Sequence, residues 1–420
     1  MKGLQLTTLL LVLAYFTIAE ASRKVEVSCS AFLYGQNDWE VKQDTSRCIE
    51  EVHRIRNNCG GTKINFVITQ FWIDELNVGK INSFGTKLGN NVVPVSPNNL
   101  RVLTTGMNAC FKAAVNLGFT TIEVTPHIDD GMGRGGWRNA LVMNPLRKYD
   151  GDFSYYDIII RPVVNAINAV ISGVPPGKRV HIYMSMQGEM NFMLWKFPTE
   201  WHRMMNIIRR SLPTGAKVGI SVNFNKLCGL SFCTPDIVST LNISSIKLLL
   251  ASIDFLGMSS YPSVSPQPKP TDFQRDVVTL ANEFKKLGIN LQNLLRAPHK
   301  ELHFSEFGIG GATCTHQPAT SASEAVKCPY YGIFGDYKAS TDPWRNVTMR
   351  RFISDYYKAA VKWAAMGTGP TFNVSHIYMW NVASWDVTGI YHTDTNAQGS
   401  YKVGDVVTTL KKWNDLNTSP

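Results

Sequence analysis

Eight short apolar segments of strand length alternate with helix-like stretches along the chain, and this alternation restricts the fold more than any other feature of the sequence. The strand-like segments are Lys24–Leu33, Lys63–Phe71, Thr120–Thr125, Arg179–Met186, Lys217–Val222, Ile253–Ser259, Glu301–Phe307 and His376–Trp380. Helical patterning follows each one, over Thr45–Arg56, Asn99–Leu117, Tyr156–Ile171, Thr199–Arg210, Thr234–Ala251, Thr271–Leu287, Trp344–Ala365 and Val403–Leu416. In Thr271–Leu287 the apolar residues Phe273, Val277, Leu280, Ala281, Phe284 and Leu287 recur at the helical period. Thr271 with Gln274 reads there as a capping box, and Gly288 as the stop. Eight strand–helix units predict an α/β fold, a (β/α)8 TIM barrel with elaborated, disulfide-bonded loops. A doubly wound sheet is the alternative, but it would carry a glycine-rich turn between an early strand and a helix. Cys59-Gly60-Gly61 precedes a strand, and Gly131–Gly136 adjoins no helix that could cradle phosphate.

A chain of 420 residues, 44% hydrophobic, can fill such a barrel. The formal net charge is +10, yet no Lys/Arg run exceeds two residues. A nucleic-acid tail is therefore not expected, and a diffuse basic surface or an acidic polymer as substrate fits better.

Lys2 followed by apolar Leu4–Ile18 and by Ala19-Glu20-Ala21 reads as a signal peptide over residues 1–21. Residues 22–420 are then a single catalytic domain, secreted and extracellular, with no membrane partner. Eight cysteines suit an oxidising compartment. Cys228 with Cys233 and Cys314 with Cys328 read as natural partners. Cys48 with Cys59 and Cys29 with Cys110 are the simplest remainder, although spacing alone does not determine connectivity. Asn242, Asn346, Asn373 and Asn417 each open an N-glycosylation sequon.

In a barrel, chemistry gathers at the C-terminal strand ends. There the chain carries His127 and Asp129, Glu189 and Asn191, Asn223, Tyr261, Glu306 and Trp380. Glu189 and Glu306 each end an apolar strand, and two rim carboxyl groups are what glycosidic cleavage requires: one protonates the leaving oxygen, the other attacks or activates water. Both are taken as catalytic. Sugar faces stack on flat indoles, which makes Trp72, Trp137, Trp195, Trp380 and Trp385 candidate substrate contacts, with Tyr261, His127, Asn191 and Asn223. Tyr261 stands where its hydroxyl could hold Glu306. Other chemistries lack their motifs: there is no Gly-x-Ser-x-Gly elbow and no HExxH. His127, Asp129 and Asp130 are an incomplete metal set, so no metal and no cofactor are expected.

The strand order, with these glutamates at the ends of strands four and seven, resembles glycoside hydrolase clan A, the retaining (β/α)8 glycosidases. Glu189-Met-Asn191 with Phe192 and Trp195, and Ser305-Glu306-Phe-Gly308, resemble motifs of the family-26 β-mannanases and β-1,3-xylanases. Asp254–Gly257 leading to Tyr261-Pro262 is similar to strand six of the family-53 galactanases and family-113 β-mannanases. Trp380 matches the strand-eight tryptophan that floors the −1 subsite in many members. The resemblance implies Glu189 as acid/base and Glu306 as nucleophile. It also implies a polysaccharide or oligosaccharide substrate, β-mannan or β-glucan first. Two positions depart from it. Gly188 stands where the clan has Asn or His before the acid/base, and Gln70 and Trp72 stand where an arginine is common near the end of strand two. A secreted endo-acting hydrolase, working as a monomer, is the resulting expectation. A transglycosylase of the same fold, or a catalytically silent carbohydrate-binding barrel, are the alternatives.

Overall fold

The computed structural model describes residues 25–74, 81–150, 152–262, 264–297, 299–309, 321, 323, 347–366, 372–382, 386–391 and 402–418. The segment read as a signal peptide, Cys314 and Cys328, Asn346 and Trp385 lie outside the described residues.

Among the described residues, ten strands form one sheet: β1 (Val27–Leu33), β2 (Lys63–Ile73), β3 (Ser83–Leu88), β4 (Asn91–Pro94), β5 (Thr121–Asp130), β6 (His181–Gly188), β7 (Lys217–Asn223), β8 (Phe255–Ser260), β9 (Glu301–Phe307) and β10 (Val374–Met379). Eight pair in parallel in the order β1-β10-β9-β8-β7-β6-β5-β2, and β2 returns to pair with β1, which closes the barrel. The antiparallel pair β3–β4 extends β2 beyond the rim and was not anticipated from the sequence. Its two strands have only 6 and 4 residues, too short for a clear alternation. The Thr271–Gln274 capping box is also replaced. The helix Arg275–Lys286 is entered through a 3-10 turn, where the Asp272 carboxylate accepts the Lys269 backbone N–H at 3.0 Å.

Each strand presents one face to the helices and one to the barrel axis, so side chains alternate between two environments. Ile64, Phe66 and Ile68 of β2 join the apolar layer under the helices. Their neighbours face inward, where the filling is polar instead of the usual branched aliphatics. At mid-height, Asn65 Nδ2 donates to Ser30 Oγ and to the Ser305 carbonyl, both at 3.3 Å. Thr125 Oγ1 donates to Asn65 Oδ1 at 3.1 Å, and the hydroxyls of Ser221 and Ser305 bond to each other. These inward groups satisfy one another, as buried polar groups must.

Two asparagines, one just after β10 and one on the final helix, tie these elements to the first strand. Asn381 exchanges hydrogen bonds with the Ser30 backbone across the β10–β1 seam, at 2.8 and 2.9 Å. Asn414, on the final helix Gly404–Thr418, brackets Val27 in the same way, at 2.9 and 2.8 Å.

Cys228–Cys233 is a disulfide, as expected. The pairing of the remaining described cysteines differs from the simplest assignment: Cys29 bonds Cys59 and Cys48 bonds Cys110. Nearness in sequence misleads here because Cys48 lies on the helix Arg47–Asn58, which packs against the helix Pro97–Asn116 that carries Cys110. Cys59, just past that helix, is carried back to β1. Asn242 and Asn373 are exposed, and Asn242 Oδ1 caps the helix Ile243–Ser252 by accepting the Ser245 N–H at 3.0 Å. Among the described residues, no helix is long and apolar enough to cross a membrane.

Candidate active site

Glu189 and Glu306 meet at the C-terminal mouth of the barrel, and irregularities in the sheet turn both toward it. Strict alternation would send Glu306 to the helix side with Leu302 and Phe304. The β8–β9 register shifts, however, from Met258↔Phe304 to Ser259↔Glu306, and this local bulge redirects the side chain. A shift between Ser185 and Gly188 does the same where β6 meets β7. Glu189 follows with φ +53°, a left-handed conformation that costs a non-glycine residue about 1 kcal/mol or more.

One guanidinium joins the pair. Arg138 Nη2 lies 3.3 Å from Glu189 Oε2 and 3.5 Å from Glu306 Oε1. The two oxygens can be no further apart than those distances laid end to end, about 6.8 Å. Arg138 also donates to Asp129 Oδ1 at 3.0 Å and to the Gly188 carbonyl at 3.1 Å. Asn223 Nδ2 donates to Glu189 Oε1 at 2.6 Å, and Trp137 Nε1 to Oε2 at 3.2 Å. Tyr261 Oη donates to Glu306 Oε2 at 3.0 Å. His127 Nε2 lies 3.2 Å from Glu306 Oε1, off the line of a good hydrogen bond. The Ser259 hydroxyl faces both carboxyl groups.

Trp380 covers one side of this group. It stacks on His127 with ring centroids 5.4 Å apart and meets Phe32 edge-on at 4.7 Å. Phe32, Val67, Tyr261, Trp380 and Val382 form a small apolar cluster at the mouth, separate from the main core.

The electrostatics divide the two carboxyl groups. Burial pushes both above the ordinary range. The next influence on Glu189 is the charge of Glu306, which raises it further; for Glu306 it is Arg138, followed by the Tyr261 hydroxyl, and both lower it. Glu189 is thus the better proton holder and Glu306 the better carboxylate. Burial, then Arg138, push His127 down to about 3, so its ring is neutral near pH 7.

Gly188 now has a physical reason. A Cβ at that position would overlap the Nε2 and Cδ2 atoms of His127. The imidazole occupies the space that an Asn or His side chain at 188 would need. Gly188→Ala is expected to displace His127 from Glu306, lowering kcat more than tenfold and stability by about 1–3 kcal/mol. Steady-state kinetics and thermal melts check both.

Three candidate contacts are corrected. Trp72 and Trp195 are each only 1% exposed and lie in the core beneath the helices. On β2, Trp72 has the parity of Ile64, Phe66 and Ile68, which faces away from the axis. Trp195 Nε1 donates to the Leu227 carbonyl at 2.6 Å. Asn191 is fully buried, and its amide staples the Asn223 backbone: Nδ2 donates to the Asn223 carbonyl at 3.3 Å, and Oδ1 accepts the Asn223 N–H at 3.1 Å. It supports the site but cannot reach a ligand. Asp129 and Asp130 form no metal set with His127, because Asp129 pairs with Arg138 and Asp130 accepts the N–H groups of Met132, Arg134 and Gly136. Sequence reasoning missed Arg138 and Ser259. The only signal for Arg138 was a cation beside Trp137 in a rim loop.

Asp276, at the start of the helix Arg275–Lys286, supports the site from behind. Its carboxylate accepts the Ser260 hydroxyl at 3.0 Å and the Tyr261 backbone N–H, which holds the end of β8. Burial raises it to about 7. Folding therefore favours the protonated form, so this contribution is complete below the free carboxyl value of about 4 and is lost as pH rises through about 7. Tm is expected to drop by a few degrees between about pH 5 and 8. Glu51, raised by burial to about 7, adds the same sign. Asp276→Asn should flatten the slope in part, and calorimetry across pH tests this.

No protein-family model and no curated protein sequence matches the chain. Among solved structures, a GH113 β-1,4-mannanase is similar with TM-score 0.50 at 11% identity, covering 93% of this chain and 99% of that one. The exo-β-1,4-mannosidase Op5Man5 from Opitutaceae bacterium strain TAV5 gives 0.43 at 13% identity, covering 95% of this chain and 63% of that one. A thermostable mutant of the xylanase Xyn10A from Cellvibrio japonicus gives 0.40 at 13% identity, with 94% and 99% covered. The likeness to the GH113 mannanase extends to the fold: this chain is a (β/α)8 barrel.

Proposed function

We propose that the chain is a secreted, retaining endo-β-glycoside hydrolase. One observation carries the reading: two buried glutamates at the C-terminal mouth of the barrel share a single guanidinium, and their environments separate a proton holder from a carboxylate. The bridged oxygens are at most about 6.8 Å apart, a bound that admits the retaining separation of about 5–5.5 Å and excludes most of the inverting range of about 6.5–9.5 Å.

The Glu306 carboxylate, aimed by Tyr261, attacks the anomeric carbon. The bond to the leaving oxygen breaks as Glu189 gives that oxygen its proton. The glycosyl ester cancels the charge on Glu306, so the pKa of Glu189 falls and it becomes a base. A water then loses its proton to Glu189, attacks the anomeric carbon and releases Glu306. Neutral His127 and Trp380 line the subsite of the reacting sugar. β-Mannan or β-glucan is the proposed substrate, from the motif resemblance. The disulfides and the apolar N-terminal segment support secretion.

A hydrolysis screen over mannans, β-1,3- and mixed-link glucans, xylans, galactans and charged glycans tests this. A ladder of oligosaccharides from mannan or β-glucan, absent with Glu306→Gln, is the expected result. A single small product would replace endo with exo action. Turnover of charged glycans alone would move the substrate to acidic polymers. Folded protein inert on every glycan would overturn the enzyme reading.

A further inference from the structure

At the opposite, N-terminal end of the barrel a second buried constellation plays no part in this chemistry. Glu123 on β5, His303 on β9 and His376 on β10 each bring one ligand-type atom within 4.8 Å of the others. His303 Nδ1 lies 2.9 Å from Glu123 Oε2. The far nitrogens of both rings turn to one acceptor: Glu301 Oε2 is 3.1 Å from His303 Nε2 and 3.4 Å from His376 Nε2. Lys217 pairs with Glu301 in turn. Glu123 Oε1 is buried and has no hydrogen-bond partner.

We propose that Glu123, His303 and His376 bind a divalent transition-metal ion of the zinc type, through the Glu123 carboxylate and the Nδ1 atom of each imidazole. Two imidazoles and a carboxylate are a zinc-type donor set. A carboxylate that takes the far N–H of each ligating histidine sets the tautomer and makes the ligating nitrogen more basic, and Glu301 stands in that position for both rings. Ligand atoms of a tetrahedral ion stand about 3.4 Å apart, given metal–nitrogen bonds of about 2.1 Å, so side-chain shifts that shorten the 4.8 Å span by about 1.4 Å complete the site. As the ion enters, the proton between His303 Nδ1 and Glu123 leaves to solvent, the Tyr378 hydroxyl, 3.1 Å from His376 Nδ1, swings off that nitrogen, and Glu123 Oε1 gains a partner. A cavity of about 480 Å³, lined by Val25, Lys63, Lys217, Glu301 and Ser375, opens at this end and supplies the route in. The polar layer of Asn65, Thr125, Ser221 and Ser305 separates this site from Glu189 and Glu306. The ion would tie β5 to β9 and β10 across the barrel.

The test uses the full secreted chain without an affinity tag, stripped with EDTA and reloaded with Zn²⁺ or Co²⁺. One equivalent should remain after gel filtration by elemental analysis, Tm should rise by several degrees, and Co²⁺ should show the visible bands of a low-coordinate nitrogen/oxygen site. His303→Gln and His376→Gln should each abolish retention, and Glu301→Gln should weaken it about 10–100-fold. Glu306→Gln should keep the full equivalent. If the histidine variants do not fold, the wild-type cobalt spectrum and Glu301→Gln decide. Wild-type protein that retains no ion and shows no Tm response overturns the proposal, and the cluster is then a proton-bridged ion network. So does an equivalent that survives both histidine substitutions, or one lost with Glu306→Gln.

Discussion

Wild-type protein acting on an aryl β-glycoside is expected to release sugar of retained β configuration, and the two glutamate variants should fail in different ways. Glu189→Ala removes the proton donor. On polysaccharide its kcat should drop about 10²–10⁴-fold. On an activated aryl glycoside, whose leaving group needs little protonation, much of the rate should survive. Added azide should then intercept the glycosyl ester and give the β-azide. Glu306→Ala removes the atom that forms the ester, so turnover should be lost on both substrates. Azide there can enter only from the vacated face and should give the α-azide. The asymmetry follows from the surroundings: Arg138 and Tyr261 favour the charged form of Glu306, whereas the charge of Glu306 favours the proton on Glu189. NMR of the anomeric products decides. Inverted product from the wild type would sink the mechanism, and a reversed azide pattern would exchange the two roles.

Arg138→Gln should lower kcat/KM by about 10²–10³-fold, the scale for losing one charged group from a preorganised site. The more diagnostic result is the pH profile. Arg138 lowers the pKa of both glutamates, so both rise when it is removed. Glu306 must be ionised, and the acid limb should move to higher pH. Glu189 must be protonated, and the alkaline limb should move up with it. His127, held down to about 3 by burial and then by Arg138, is neutral in the wild type and contributes no limb of its own to that profile. A purely structural role for Arg138 would lower the curve without moving it, and would remove this residue from the electrostatic account.

Much of the barrel was legible because burial imposes periods on sequence. β9 spans Glu301–Phe307, as its apolar pattern predicts, and most other barrel strands lie within about two residues of their expected bounds. The meeting of Glu189 and Glu306, the proposed catalytic pair, was visible for the same reason: a carboxylate at the end of an apolar run is costly unless something holds it. β5 shows where that reading runs short. It continues to Asp130 and does not end near Thr125. Its inward residues Glu123, Thr125, His127 and Asp129 form a ladder from the proposed metal cluster, through the polar waist, to Glu306 and Arg138. A strand of alternating polar residues reads as half-exposed in one dimension. Only closure of the sheet makes the polar face an interior.

The amino-acid sequence by itself determined the number of strand–helix units, the placement of Glu189 and Glu306 at strand ends, and Cys228–Cys233, because each rests on neighbours a few residues apart. The tertiary structure decided the rest. It turned Glu306 inward through a bulge, gave Glu189 its left-handed backbone, and filled the space beside Gly188 with His127 from another strand. It sent Trp72 and Trp195 to the core, paired Cys29 with Cys59 and Cys48 with Cys110, and placed Arg138 between two carboxylates far from it in the chain. Each of these depends on which strands and helices become neighbours when the sheet closes, and local periodicity carries no information about that.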